Sequence, residues 1–254
     1  MLNNKVMAVF AAGGAVAGAV AREWARQGAR VFVSGRRGES VEALVEQIRE
    51  EKGAASGAVV DALDDAAIGS WLDAVIAECG QLDGVFNGIG GRPQELGYPA
   101  LSNTQPLEDF MLPITRIAGS QFLTARHGAQ RMNHGGAVVL LSATLSGMAA
   151  RHMAGISATC GAVEALTRSL AGEYGPQGVR INCLRASAMP ETRTIQETGA
   201  GLAALSAAMQ APLPPLGRPT SVSDTAHTAA FLVSDHALGM TGQVVTVCGG
   251  AFVG

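Results

Sequence analysis

Two hydroxyl side chains follow a strongly apolar run of the chain, where they could contact a ligand. The run, residues 138–141, is predicted to be a buried strand, and Ser142 and Thr144 come directly after it. A helix rich in small residues is predicted over residues 155–173. A strand-end hydroxyl can orient a carbonyl group, although a serine or threonine at this place often only caps backbone groups. Ser142 and Thr144 are therefore the first candidates for a catalytic site.

His152 and Cys160 carry two further side chains in this stretch that could do chemistry. His152 could be a general base, because the unperturbed pKa of histidine is close to neutral. A loop histidine with no identified partner is more often solvated or structural. Cys160 could be a nucleophile if an arginine lowered its pKa. The alternative, which is more common for a small cysteine among alanines and glycines, is that it only packs.

Four arginines could together form an anion site for a carboxylate or a phosphate: Arg116, Arg151, Arg185 and Arg193. Exposed arginines that pair with nearby acids would explain them equally well. We expect the carboxyl ends of the fourth to sixth strands to converge on one cleft. Its predicted lining consists of Ser142, Thr144, Arg151, His152, Cys160, Arg185, Glu191 and Arg193.

Composition limits the class of protein. With 254 residues, 48% of them hydrophobic, the chain can bury a large core as a single domain, residues 1–254. The formal net charge of -3 and the absence of a basic run argue against a nucleic-acid partner. No stretch reaches the roughly 18 uninterrupted apolar residues of a membrane span, and the start lacks a secretion signal. We expect a cytoplasmic protein that binds a small molecule.

The four cysteines are widely spaced and form no C-x-x-C motif. This spacing predicts reduced thiols rather than a disulfide framework. It offers no support for a metal site either, so we expect none.

Strands and helices alternate along the chain. Residues 5–10 are predicted to be the first strand; after Lys5 they are all apolar, as expected of a parallel strand buried on both faces. Residues 19–27 have helical spacing with Gly28 as a stop, and residues 30–34 form the next strand, which completes a βαβ unit. The predicted fold class is α/β, a Rossmann-like doubly wound parallel sheet of about seven strands with helices on both faces.

The chain resembles the short-chain dehydrogenase/reductase family over essentially its whole length. The resemblance rests on ARQGARVFVSGRR, on Asn87 and Gly90 after the fourth strand, on the strand and helix of residues 138–173, on GEYGPQGVRIN, and on residues 217–250. It implies the fold described above and a homodimer or homotetramer. It also implies that residues 190–217 cover the substrate. The loop-like residues 91–106, over the carboxyl ends of the strands, could form a lid on the pocket.

The family's catalytic residues are a strand-end serine, a tyrosine and a lysine on the next helix, and an asparagine. Here the tyrosine and lysine positions hold Ile156 and Cys160, which cannot supply the phenol that donates a proton or the ammonium that lowers its pKa. The chain has two lysines and two tyrosines, at Lys5, Lys52, Tyr98 and Tyr174. The serine position falls on Ala143 or Thr144, the asparagine position on Arg116 or Ile117, and a Pro-Gly pair that follows the sixth strand in the family is Ala186 and Ser187.

The glycine motif of the family's cofactor site is changed as well. Its four signature positions fall on Phe10, Ala11, Ala15 and Ala17. Glycines let the backbone turn tightly and approach a pyrophosphate, so each added methyl group fills space that the cofactor would use. We therefore expect no cofactor, and NADP if any, because Arg36 and Arg37 follow the second strand. If a nucleotide binds, the candidate contacts are Gly13, Gly14, Arg36, Asp61 and Asn87.

Three functions remain open. The first is a family member without Tyr/Lys-based hydride transfer, with weak or no NAD(P) binding, that binds a small molecule in the old substrate cleft as a non-redox enzyme or a binder. The second is an NADP-dependent oxidoreductase that uses substitute residues. The third is a non-catalytic subunit of a hetero-oligomer with an active family member.

Overall fold

Seven parallel strands form a single sheet. The computed structural model describes residues 1–132, 135–197 and 214–252. The strands are β1 Val6–Phe10, β2 Arg30–Gly35, β3 Ala54–Val59, β4 Gly84–Asn87, β5 Gly136–Ala143, β6 Val179–Ala186 and β7 Val244–Val247. The helices are α1 Ala15–Arg26, α2 Gly38–Glu50, α3 Asp65–Cys79, α4 Leu107–Pro113, α5 Gly119–Ala129, α6 Ala154–Tyr174, α7 Arg193–Glu197 and α8 Val222–Val233.

The strand order is β3-β2-β1-β4-β5-β6-β7, and every neighbouring pair is parallel. The order reverses between β1 and β4. Doubly wound sheets bind ligands in the crevice at the carboxyl ends of the strands near such a reversal. The predicted Rossmann-like fold is therefore confirmed, and the topology indicates where a site should lie.

Each face of the sheet packs against its own layer of helices. In β1, which is buried throughout, Met7 and Val9 belong to a core cluster that includes Trp24 of α1. Ala8 and Phe10 belong to the opposite cluster, which includes Leu72 of α3. Because both faces are covered, the strand shows no polar alternation.

The helices differ from the sequence prediction in two places. Helix α1 starts at Ala15, four residues before the predicted start at residue 19, and Gly18 is already hydrogen bonded to the Gly14 carbonyl. The helical region predicted near residues 107–132 is interrupted by a π-helical turn at Ile114–Ala118, directly after Pro113. Proline has no N–H to continue the helical hydrogen bonding, and π turns often occur at functional sites.

Part of the predicted substrate cover, residues 198–213, lies outside the described ranges. The remainder of that cover includes the short helix α7. None of the helices within the described ranges combines the length and apolar character that a membrane-spanning helix needs.

Helix α1 packs very closely against the loop that follows β4. The methyl group of Ala17 is fully buried, and a Cβ added at Gly88 would lie 2.9 Å from the Ala17 Cβ and 2.9 Å from Cε1 of Phe86. Carbon atoms do not approach this closely without displacement. A glycine at position 88 therefore provides the room that the alanine at position 17 occupies.

We expect Gly88→Ala to lower the free energy of unfolding by about 1–3 kcal/mol because it overpacks this contact. Ala17→Gly removes the methyl group, so Gly88→Ala should cost less in that background, although Ala17→Gly alone weakens the helix by about 1 kcal/mol. Urea denaturation of the single and double variants measures this coupling. Gly172→Ala, where no atom lies within 4 Å of the added carbon, is the matched control. Strictly additive costs would contradict the proposed contact.

Candidate functional site

A continuous groove runs along the carboxyl ends of the strands and encloses about 1610 Å³. This exceeds the roughly 300–1,000 Å³ of common small-molecule pockets, so the groove has room for an elongated ligand. It is lined by the segments after six strands: residues 10–14, 35–37, 60–63, 88–92, 141–145 and 186–189. Helix α6 contributes Ile156, Thr159, Cys160 and Val163.

The structure brings many of the predicted site residues to this groove, but not all of them. Its lining includes Ser142, Thr144, Cys160, Gly13, Gly14, Arg36, Asp61, Arg116, Glu191 and Arg193. Three residues that we predicted to line the cleft lie outside the lining: Arg151 and His152, which are exposed, and Arg185. His152 has a φ of 64°, and its carbonyl accepts a hydrogen bond from the Ala100 N–H at 3.3 Å. His152 therefore does not line the groove together with Ser142 and Thr144.

A buried carboxylate beside the groove was not predicted. Glu164 of α6 is 6% exposed, and its Oε1 accepts hydrogen bonds from Ser142 Oγ at 2.9 Å and Ser146 Oγ at 2.6 Å. Arg185 donates to both carboxylate oxygens, from Nε at 2.8 Å and from Nη2 at 2.6 Å. Two parallel charge-assisted bonds of this kind are among the strongest polar contacts in proteins.

Sheet geometry explains why these residues meet. Ser142 of β5 pairs in register with Arg185 of β6. Side chains alternate along a strand, and Ser142 continues the face on which Val138 and Leu140 pack toward α6. Glu164 reaches the same place from α6. The spacing of Ile156, Cys160 and Glu164, four residues apart, puts all three on one helix face, so the sequence did contain a signal for this carboxylate.

Electrostatics keep Glu164 ionised. Burial alone would raise its pKa, but hydrogen bonds from Arg185 and the two serines outweigh burial and hold the pKa below its usual value. The hydrogen bonds between Arg185 and Glu164 also raise the pKa of the Arg185 guanidinium. The predicted four-arginine anion site is therefore not assembled: Arg185 is held by Glu164, Arg151 lies outside the groove lining, and Arg193 Nε lies 3.7 Å from Glu197.

Cys160 lies in the groove but in an environment that disfavours a thiolate. It is 8% exposed, and burial raises the pKa of its thiol. Cys160 could act as a nucleophile only if an arginine lowered the pKa of its thiol. The nearby Arg185 is already paired with the Glu164 carboxylate. Cys160 therefore stays protonated at neutral pH.

Residues 11–14, between β1 and α1, line the groove and form a tight turn although the family's glycine motif is absent. Ala11 adopts a φ of 73°, a conformation that costs an L-residue roughly 1–2 kcal/mol. The Gly14 N–H donates to the Ala11 carbonyl at 2.8 Å. Ala11 and Ala15 line the groove, whereas Ala17 does not. The three alanines thus differ: Ala17 packs on Gly88, and only the other two add methyl groups beside the groove.

Two predicted nucleotide contacts have structural roles. Asn87 is fully buried and donates from Nδ2 to Thr124 Oγ1 at 2.9 Å, while its Oδ1 accepts from the Ile89 N–H at 2.8 Å. It joins β4 to α5 rather than lining the groove. Asp61 does line the groove, and its Oδ1 accepts from the Leu63 N–H at 3.0 Å. The cap of α3 is Asp64, which accepts from the Ala67 N–H.

The lysines and tyrosines, all of which fall in the described ranges, lie outside the groove lining. Lys5 pairs with Asp235 at 3.1 Å, and Lys52 is exposed after α2. Tyr174 is buried at the end of α6, and Tyr98 lies in the loop after β4. Among the described residues, no cluster of three or more His, Cys, Asp or Glu side chains could hold a metal ion.

Comparison with known proteins agrees with this architecture. Residues 11–251 match the family model described as enoyl-(acyl carrier protein) reductase. The 3alpha-hydroxysteroid dehydrogenase of Mediterraneibacter gnavus is 31% identical over 258 residues, which cover 99% of this chain and 98% of that protein. The D-threitol dehydrogenase of Mycolicibacterium smegmatis is 29% identical, over 98% of this chain and 93% of that protein. A short-chain type dehydrogenase/reductase from Mycobacterium ulcerans superposes with a TM-score of 0.89 at 26% identity, over 98% of this chain and 90% of that one.

The chain therefore belongs to the short-chain dehydrogenase/reductase family. The named relatives are dehydrogenases or reductases.

We expect Glu164→Gln to lower the free energy of unfolding by about 1.5–3 kcal/mol at neutral pH, since it weakens charged hydrogen bonds. The folded-state pKa of Glu164 is lowered, so its contribution is full above the unfolded pKa of about 4.3 and is lost as the pH falls through the folded value. The difference between wild type and variant should therefore shrink at acidic pH.

Urea denaturation across this pH range measures the difference. Glu173→Gln, at an exposed position of the same helix, is the matched control and should show little effect at any pH. A cost for Glu164→Gln that is the same at every pH would refute the ionised pair.

Proposed function

We propose that this protein binds a small molecule in the groove without Tyr/Lys-based hydride transfer, as a non-redox enzyme or a binder. The observation that carries the proposal is the absence of any tyrosine or lysine from the groove lining, although all four are described. Helix α6 contacts Ser142 Oγ through the Glu164 carboxylate at 2.9 Å and through the Cys160 carbonyl at 3.3 Å. Ile156 lies one turn earlier on the same helix and also lines the groove.

The side chains beside Ser142 do not replace the missing acid. Carbonyl reduction by the family's mechanism needs a phenol that gives up a proton and a cation that makes this proton available. Ile156 has no proton to give. Burial raises the pKa of the Cys160 thiol and so makes it a weaker acid, and the nearby Arg185, which could lower that pKa, is paired with Glu164. Glu164 is a carboxylate held by Arg185, and it does not line the groove. A ligand at this place therefore meets hydroxyl groups and apolar surface rather than a proton donor matched to neutral pH.

The groove fits a nicotinamide dinucleotide only at one end. Arg36 and Asp61, which follow β2 and β3, line the part where the adenosine would lie, and Arg36 suits a 2′-phosphate. The pyrophosphate would have to approach the start of α1, where Ala11 and Ala15 add methyl groups. This mismatch supports weak or no nucleotide binding.

An NADP-dependent oxidoreductase with substitute residues is the second candidate. It is favoured by the continuity of the groove from Gly13 to Thr144, by Arg36, and by the dehydrogenase names of the relatives. It requires a proton donor other than the residues named above. The two candidates differ in whether NADPH is consumed.

Isothermal titration with NADP and NAD tests the nucleotide part of the proposal. We expect no micromolar binding of either by the wild type. Ala15→Gly should strengthen NADP binding by about tenfold, the scale of one methyl group in a pocket. Ala17→Gly is the matched control and should not, because Ala17 lies outside the groove lining. Micromolar binding by the wild type would overturn this part of the proposal.

Hydride transfer is tested separately by the loss of NADPH absorbance in the presence of a panel of aldehydes and ketones. We expect no loss above the rate without protein, because the groove lining holds neither the tyrosine nor the lysine that the family's mechanism uses to protonate the developing alkoxide. Turnover of any carbonyl compound, abolished by Ser142→Ala or Thr144→Ala, would favour the oxidoreductase instead.

A further inference from the structure

The hydroxyl of Ser142 has more hydrogen-bond acceptors around it than it has protons. Its Oγ lies 2.9 Å from Glu164 Oε1, 3.3 Å from the Cys160 carbonyl and 3.5 Å from the Ala143 carbonyl. A serine hydroxyl has one proton and two lone pairs. The shortest of the three contacts is to an ionised carboxylate, which binds a proton donor more strongly than a carbonyl does. The Ser142 proton is therefore directed at Glu164.

Glu164 cannot reverse this hydrogen bond. A carboxylate has no proton to donate, and both of its oxygens already accept from Arg185. Ser146 adds a further donor at 2.6 Å. The carboxylate is thus surrounded by donors, with Ser142 as one of them.

Arg185 is itself fixed from the C-terminal side. Its guanidinium lies 5.1 Å from the centre of the Phe252 ring, within the range of a cation–π contact. Phe252 is held in turn by Cys248, whose Sγ lies 3.4 Å from the Phe252 N–H. The orientation of the Ser142 hydroxyl therefore depends on β6, α6 and the segment after β7.

We propose that Ser142 faces the groove as a hydrogen-bond acceptor, so that the groove selects a ligand with a hydroxyl donor at this point over its carbonyl counterpart. Glu164 and Arg185 are the positioning residues that set this polarity. The inference rests on the proposed function, in which the groove binds a small molecule.

Thr144 adds to the expected preference for a hydroxyl ligand over its carbonyl counterpart. It is 3% exposed, lines the groove, and its hydroxyl makes no hydrogen bond to the described part of the chain. Its proton is therefore available to a ligand. An alcohol oxygen can donate to Ser142 and also accept from Thr144, whereas a ketone oxygen can only accept.

Binding of a matched pair tests the selection. The probes are a 3α-hydroxysteroid and its 3-oxo counterpart, chosen because one relative is a 3alpha-hydroxysteroid dehydrogenase. Ligand-observed NMR should give the wild type an affinity for the alcohol about tenfold above that for the ketone, the scale of one neutral hydrogen bond. Glu164→Gln and Ser142→Ala should each bring the ratio close to one. Equal or tighter binding of the ketone by the wild type would overturn the proposal.

The ratio is the informative readout, because partial unfolding of a variant lowers both affinities and leaves their ratio unchanged. Ser70→Ala, at an exposed position of α3 outside the groove lining, is the control and should keep the wild-type ratio. A ratio that falls in Ser142→Ala but not in Glu164→Gln would remove the positioning role of Glu164.

A neutron crystal structure of the wild-type protein separates this inference from the proposed function. We expect the deuteron on Ser142 Oγ to point at Glu164 Oε1, and a deuteron that points into the groove would overturn the inference. If neither steroid binds, the small-molecule role proposed for the groove loses support. The deuteron position still decides the polarity of Ser142.

Discussion

The ion pair between Glu164 and Arg185 is the constraint on which the site depends. It joins α6 to β6, and through Ser142 and Ser146 it also joins α6 to the end of β5. A buried carboxylate is stable only when it is paired and hydrogen bonded, and here all its partners come from the elements that border the groove. The pair therefore holds the Ser142 hydroxyl at the strand end, and it engages Arg185, the cation that would have to lower the pKa of the Cys160 thiol.

The nucleotide end of the groove follows a different constraint. Alanines at three glycine positions have three separate consequences. Ala17 is accommodated by the absence of a side chain at Gly88, and Ala11 is accommodated by an unfavourable backbone conformation. Ala15, at the first position of α1, lines the groove. Ala17 thus lies outside the groove lining, whereas Ala11 and Ala15 both belong to it, and these two methyl groups are the basis of the proposal that nucleotides bind weakly or not at all.

Much of the fold could be predicted from the sequence, because apolar strands such as β1 and the stop at Gly28 are local signals. The start of α1 was not predicted, because the spacing of apolar residues does not show that a helix begins directly after two glycines. The π turn after Pro113 was not predicted either, because the same spacing does not reveal a helical turn with one extra residue. For the site, Ser142, Thr144 and Cys160 were placed correctly in the groove. Arg185 and His152 do not line the groove, contrary to the prediction. The position of Arg185 depends on its partner Glu164, and that of His152 depends on the conformation of its loop. Glu164 was missed because a charged residue in a helix is usually read as exposed.

Family membership is shown, but the fold leaves the chemistry open. We propose that no nicotinamide binds beside Ser142 and Thr144. A crystal structure determined with saturating NADP tests this proposal most directly. We expect no ordered nicotinamide ring in the groove and an intact hydrogen bond between Ser142 and Glu164. An ordered ring within contact of Ser142 and Thr144 would contradict it and would favour the oxidoreductase.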